Sequence, residues 1–264
     1  MSVDGVRVFC RRVPGEGPPA VFVHGNPTHS GDWLPFLERM AGPALALDLP
    51  GWGRSDRPED FDYTMYGLAR FVDRCLDELR IGEYRLVVHD WGSLALIGAQ
   101  REPERVRGVV LVNAVPLLPG YRWHPIARLW RRRGLGELVN LTGTRRGAEL
   151  LLRQATPDRG PMPPEFVDSL WRYRQRGTAR PTLTLYRSAD PELLEAAGSR
   201  LGELRCPALV VWGTRDTYLP VHFARLYAER LPNAELVELP DAAHWPWLDR
   251  PDVVERVVGF LEGN

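Results

Sequence analysis

The sequence predicts an α/β fold, a mostly parallel sheet flanked by helices, and three observations carry that expectation. Short β-rich runs alternate with longer helical patterns along the chain. Several of the runs are continuously apolar, as strands buried on both faces require. Between about Leu117 and Leu204 no strand-like run appears, and helical patterns such as IARLWRRRGLGELV and PEFVDSLWRYRQR replace them. Pro and Gly in TPDRGPMPP break that stretch with a loop. The expected organisation is a core domain from residues 1–116 and 205–264, with a helical cap, residues 117–204, inserted between two strands.

In chain order the strand runs are VRVFCRR, AVFVHG, ALALDLPG, YRLVVHD, RGVVLVNAV, PALVVWGTRD and AELVELPDAAH. Ligands of open parallel sheets bind outside the carboxyl ends of the strands, so the residues there matter most. Those ends hold His24-Gly25-Asn26-Pro27, Asp90-Trp91-Gly92, Asn113, Asp216 and His244. The order nucleophile, acid, histidine is that of α/β-hydrolases. G-x-S-x-G is absent and Ser93 lies past the turn, so Asp90 occupies the nucleophile position. The N-terminus of the following helix supplies N–H groups that stabilise its charge.

A carboxylate suits displacement at a saturated electrophilic carbon, which leaves an ester on the enzyme. His244 is placed to activate the water that cleaves this ester. Asp216 orients the imidazole, since the rival acid position holds Asn113, which cannot ionise. The backbone N–H groups of Asn26 and Trp91 form the expected oxyanion hole. His24 and His89 read as shapers of their turns, and His29, His124 and His222 give no functional signal.

The 34 basic residues, all arginine, balance 34 acidic ones, so the whole-chain charge shows no footprint for nucleic acid or an anionic membrane. Three scattered cysteines (Cys10, Cys75, Cys206) argue against a disulfide frame or a zinc site. No secretory signal and no membrane-spanning run is visible, so the expected location is cytoplasmic. Neither a metal cluster nor a glycine-rich nucleotide loop appears, and no cofactor is expected. The expected partners are a small apolar electrophile and water, in a monomer or homodimer. Arg131-Arg132-Arg133 reads as a solvated helix face. Trp123, Trp130, Leu135 and Trp171 read as cap core rather than pocket lining.

HGNPT (24–28), DLPGWGRSDRP (48–58), VVHDWGS (87–93), WGTRD (212–216) and the histidine of DAAHW resemble haloalkane dehalogenases and α/β epoxide hydrolases. The resemblance spans nearly the whole chain outside the cap and implies the α/β-hydrolase fold. For dehalogenases it implies a halide cradle of Asn26 and Trp91. For epoxide hydrolases it implies cap tyrosines that protonate the ring oxygen, here Tyr186, with Tyr121 as partner and Tyr173 as a weaker one. In RPTLTLYRSADP dehalogenases usually carry proline where Tyr186 stands. An epoxide hydrolase needs only the backbone of Asn26, whereas Tyr186 puts an unneeded hydroxyl into a dehalogenase site. On that asymmetry the sequence favours epoxide hydrolysis, with haloalkane dehalogenation as the alternative. Hydrolysis of a β-lactone or a fluorinated acid, or a non-catalytic receptor on the same fold, are remoter readings.

Overall fold

The computed structural model describes residues 1–174 and 177–263. Its strands are β1 (Ser2–Val3), β2 (Val6–Arg7), β3 (Cys10–Val13), β4 (Ala20–Val23), β5 (Ala44–Leu47), β6 (Tyr84–Asp90), β7 (Val106–Ala114), β8 (Ala208–Gly213) and β9 (Ala234–Leu239). Seven of them form one sheet in the order β3-β5-β4-β6-β7-β8-β9. Only β3 runs antiparallel to its neighbour; every other pairing is parallel.

The run VRVFCRR is not one strand. Asp4-Gly5, both at positive φ, turn the chain so that β2 pairs back on β1, and β3 then starts afresh at Cys10. An Asp-Gly pair is a strong hairpin former, and it wins over the continuous run.

The apolar runs divide by alternation, as a pleated strand requires. Val21, Val23, Leu86, Val88, Leu111 and Val210 face one core layer. Ala20, Phe22, Val87, Val110, Val112 and Val211 face the other. The core helices are α1 (Leu34–Leu37), α2 (Met65–Glu78) and α3 (Ala95–Ala99), then α10 (His222–Arg230), α11 (Pro246–Asp249) and α12 (Asp252–Gly263). Leu68, Ala69, Val72 and Leu76 of α2 cover the first layer, and Val253, Val254, Val257 and Leu261 of α12 the second. Thr64 caps α2 by accepting from the Gly67 N–H at 3.1 Å.

Between β7 and β8 lie α4 (Pro125–Arg131), α5 (Leu135–Thr142), α6 (Arg145–Leu152), α7 (Pro164–Arg174), α8 (Ala179–Arg187) and α9 (Pro191–Ala197), with no strand among the described residues. Arg131 ties this helical segment, the expected cap, together, reaching the carbonyls of Tyr186 and Ala189 and the carboxylate of Asp190. The arginine run is therefore only partly a solvated face; Arg132 and Arg133 are exposed.

Candidate active site

Asp90 ends β6 at φ 48°, a region that costs a β-carbon-bearing residue energy and persists where its surroundings enforce it. The register with β7 slips between His89 and Asp90, which lifts the side chain off the sheet. Two glycines make room for the turn. A Cβ on Gly25 would sit 2.3 Å from the Asp90 Cβ, and one on Gly92 2.1 Å from the Val23 carbonyl oxygen.

The three residues expected to act together do meet. The Asn26 backbone N–H donates to Asp90 Oδ1 at 2.8 Å. Asp90 Oδ2 faces His244 Nε2 at 3.8 Å, and His244 Nδ1 bonds Asp216 Oδ2 at 2.8 Å. All three are buried. Burial raises the Asp90 carboxyl to about 6, against the pull of the His244 charge and of the Trp91 and Asn26 N–H groups. Burial opposes the His244 cation, but Asp216, Asp90 and Asp32 outweigh it and raise the imidazole above its ordinary value.

Asp216 is held by the N–H groups of Tyr218 and Leu219, at 2.8 and 3.1 Å on Oδ1. Asn113 Nδ2 adds a bond to Oδ2 at 2.7 Å, while Asn113 Oδ1 accepts from the Gly213 N–H at 2.9 Å. Asn113, the residue unable to ionise, thus holds the Asp216 carboxylate in place. His89 Nε2 pairs with the His244 carbonyl at 2.8 Å, so it braces the base. His24 Nε2 accepts from the Leu49 N–H at 2.9 Å and shapes its own turn.

The Asn26 side chain is locked in one orientation. Its Oδ1 accepts from Trp52 Nε1 at 3.0 Å and from Thr182 Oγ1, on α8 of the cap, at 2.8 Å. With the oxygen occupied twice, the network assigns Nδ2 to the opposite side. Asn26 Nδ2 and Trp91 Nε1 are both buried and have no hydrogen-bond partner among the described residues. Asn26, Asp90, Tyr121, Trp123, Tyr186 and His244 all line a narrow cavity of about 70 Å³.

Tyr186 packs its ring 5.0 Å from both Trp91 and Trp130. Burial and the Asp90 charge push its phenol far up, so it stays a neutral donor, even though the Trp91 and Asn26 N–H groups pull the other way. Tyr121 lines the same cavity with its hydroxyl unpartnered. Tyr173 lies elsewhere, in a separate cleft, where its ring packs on His29 and its hydroxyl accepts from Arg54. Trp123 and Trp130, expected in the helical core, line the cavity that Asp90 and His244 share, and so does His124, which also caps α4. A wider space of about 270 Å³ adjoins it, sharing His124, Ile126, Leu151 and Tyr218.

Residues 18–251 match the family model described as the alpha/beta hydrolase fold. The chain belongs to the α/β-hydrolase family. Among the relatives of this α/β-hydrolase, a haloalkane dehalogenase from Mesorhizobium japonicum is 29% identical, over 92% of this chain and 83% of its own. A cis-3-alkyl-4-alkyloxetan-2-one decarboxylase from Xanthomonas campestris pv. campestris is 30% identical, over 95% of this chain and 90% of its own. The crystal structure of a haloalkane dehalogenase from Bradyrhizobium elkani is similar with a TM-score of 0.86, at 27% identity, covering 100% of this chain and 96% of that one. Within the α/β-hydrolases, then, the likeness runs to the haloalkane dehalogenase group.

Proposed function

We propose that this α/β-hydrolase is a haloalkane dehalogenase. The carrying observation is a pair of buried side-chain N–H groups without a hydrogen bond among the described residues: Asn26 Nδ2, on a residue lining the cavity with Asp90, and Trp91 Nε1, on the residue that follows Asp90. Donors that face only the Tyr186 hydroxyl, without a formed hydrogen bond to it, suit a leaving group that arrives as a full anion in a water-poor site. The dehalogenase relatives support the same reading, which reverses the preference for epoxides drawn from the sequence.

In this mechanism Asp90 Oδ2 attacks the halogen-bearing carbon while Oδ1 stays on the Asn26 N–H. The C–O bond forms as the C–halogen bond breaks, and the electron pair leaves with the halide. His244 Nε2 then takes a proton from water as the water oxygen attacks the ester carbonyl. Charge developing on Oδ1 is stabilised by the backbone N–H groups of Asn26 and Trp91, and Asp216 stabilises the imidazolium. Collapse expels the alcohol, which takes up the imidazolium proton, and Asp90 returns as a carboxylate after losing a proton to solvent, so that alcohol, the halide released earlier and one proton are the net products.

Tyr186 supports a second reading, epoxide hydrolysis. Its neutral phenol, with that of Tyr121, lines the cavity and could protonate an alkoxide, a far more basic leaving group than halide. Purified protein is tested with bromoalkanes scored for bromide, epoxides scored for diol, and a dialkyl β-lactone scored for loss of carbon dioxide. Bromide without diol supports dehalogenation; diol without bromide overturns it. Tyr186→Phe separates the two again. It should leave bromide release within about threefold, whereas loss of an essential acid costs roughly 10²–10⁴-fold.

The pH dependence follows from the same groups. Ester hydrolysis needs a neutral imidazole, so it is lost as pH falls through the His244 value, which Asp216 and Asp32 still raise although the Asp90 charge is gone once the ester forms. Alkylation needs the Asp90 carboxylate and fades only as pH falls through about 6. Just above pH 6, rapid-quench mass spectrometry should therefore find alkyl-enzyme accumulating, with less at pH 8.

A further inference from the structure

The cap turns an apolar face to solvent. Leu135, Leu138 and Leu141 recur every third residue along α5 and are 42%, 52% and 85% exposed. Leu150, on the next helix, is 64% exposed. A helix of a soluble domain normally turns such a stripe inward. Arginines flank the stripe along the chain: Arg132 and Arg133 precede α5, Arg146 stands in the first turn of α6, and Arg153 follows it. All four are exposed and form no ion pair among the described residues. The nearby acids are already taken, Glu137 by Arg187 and Glu149 by Arg145.

The whole-chain balance hides this asymmetry. Residues 117–204 carry 15 arginines against nine acidic residues, and the rest of the chain carries 19 against 25. Along the chain the patch adjoins the outer space beside the site. Leu151, beside Leu150, lines the wider outer space, as do Ile126 and Leu129 of α4.

We propose that this face of the cap docks on the surface of an anionic lipid bilayer. Exposed leucines rimmed by unpaired arginines match the boundary between acyl chains and acidic headgroups. No described helix is long and apolar enough to cross a membrane, so the contact is with the surface. A second copy fits less well. Cap against cap opposes like charge, and cap against core is a heterologous contact that does not close into a dimer. Whole-chain neutrality gave the contrary expectation of no membrane partner. Docking places the mouth where apolar molecules concentrate, whichever leaving group the site handles.

The test uses the full chain with vesicles of phosphatidylcholine alone, and of phosphatidylcholine and phosphatidylglycerol in equal parts. Co-sedimentation with the anionic vesicles only, weakening as salt is added, is the expected result. Leu138→Ser with Leu141→Ser should weaken binding roughly tenfold or more. Arg132→Gln with Arg133→Gln should do likewise, each arginine contributing roughly fivefold. Turnover of a freely dissolved substrate should be unchanged in both variants, which reports an intact fold. Absence of binding to anionic vesicles overturns the proposal, as does equal binding to neutral ones. A concentration-dependent dimer that the leucine variant abolishes, with no vesicle binding, assigns the face to a second copy instead.

Discussion

His244→Gln is expected to abolish turnover of a bromoalkane while still releasing one equivalent of bromide per active site. The first chemical step asks nothing of the imidazole: Asp90 Oδ2 is the attacking atom, and its partner oxygen is held by the Asn26 N–H. The second step requires a base within reach of water, and glutamine cannot accept the proton. Loss of a positioned general base costs roughly 10²–10⁴-fold, enough for the ester to outlive the experiment. Intact-protein mass spectrometry then reads the chemistry directly. A haloalkane adds its alkyl group and no halogen, whereas an epoxide adds its whole mass. A variant that turns over normally, or carries no adduct and releases no halide, would sink the covalent route through Asp90.

The second large effect is expected of Trp91→Phe. Phenylalanine retains an aromatic face for Trp123, whose ring lies stacked 5.4 Å away, and removes the buried indole N–H. Losing one preorganised donor to developing charge typically costs about 10²–10³-fold, and kcat/KM for a bromoalkane should fall by that order. Asn26→Asp should match it from the other side. Its carboxylate still accepts from Trp52 and Thr182 but turns an acceptor toward the departing halide. A full-rate Trp91→Phe enzyme would remove the indole from the halide site and return the leaving group to Tyr186.

Much of this was legible because the sheet converts sequence into place. A strand's carboxyl end is readable from where an apolar run stops, so Asp90, Asp216 and His244 could be brought together without a contact in view. What stayed hidden depends on pairings across the fold. Asn113 reads as a residue unable to ionise, yet its amide reaches Asp216 across 103 residues of chain. Thr182, on an unremarked turn of α8, fixes the Asn26 amide from 156 residues away. No local pattern announces either bond. The tyrosines differ again: the resemblance to epoxide hydrolases pointed to Tyr186, Tyr121 and, more weakly, Tyr173, but only the packing separates the first two, in the cavity, from the third, outside it.

The step from a cavity of about 70 Å³ to an adjoining space of about 270 Å³ bears on discrimination. Bulk at the reacting carbon must fit among Asn26, Tyr121 and Tyr186, whereas a tail extends outward past Ile126 and Leu151. An enzyme of this shape ranks its substrates by branching rather than by length. Straight primary chains differing by several methylenes should compete as near equals, and a single methyl beside the leaving group should set a substrate apart.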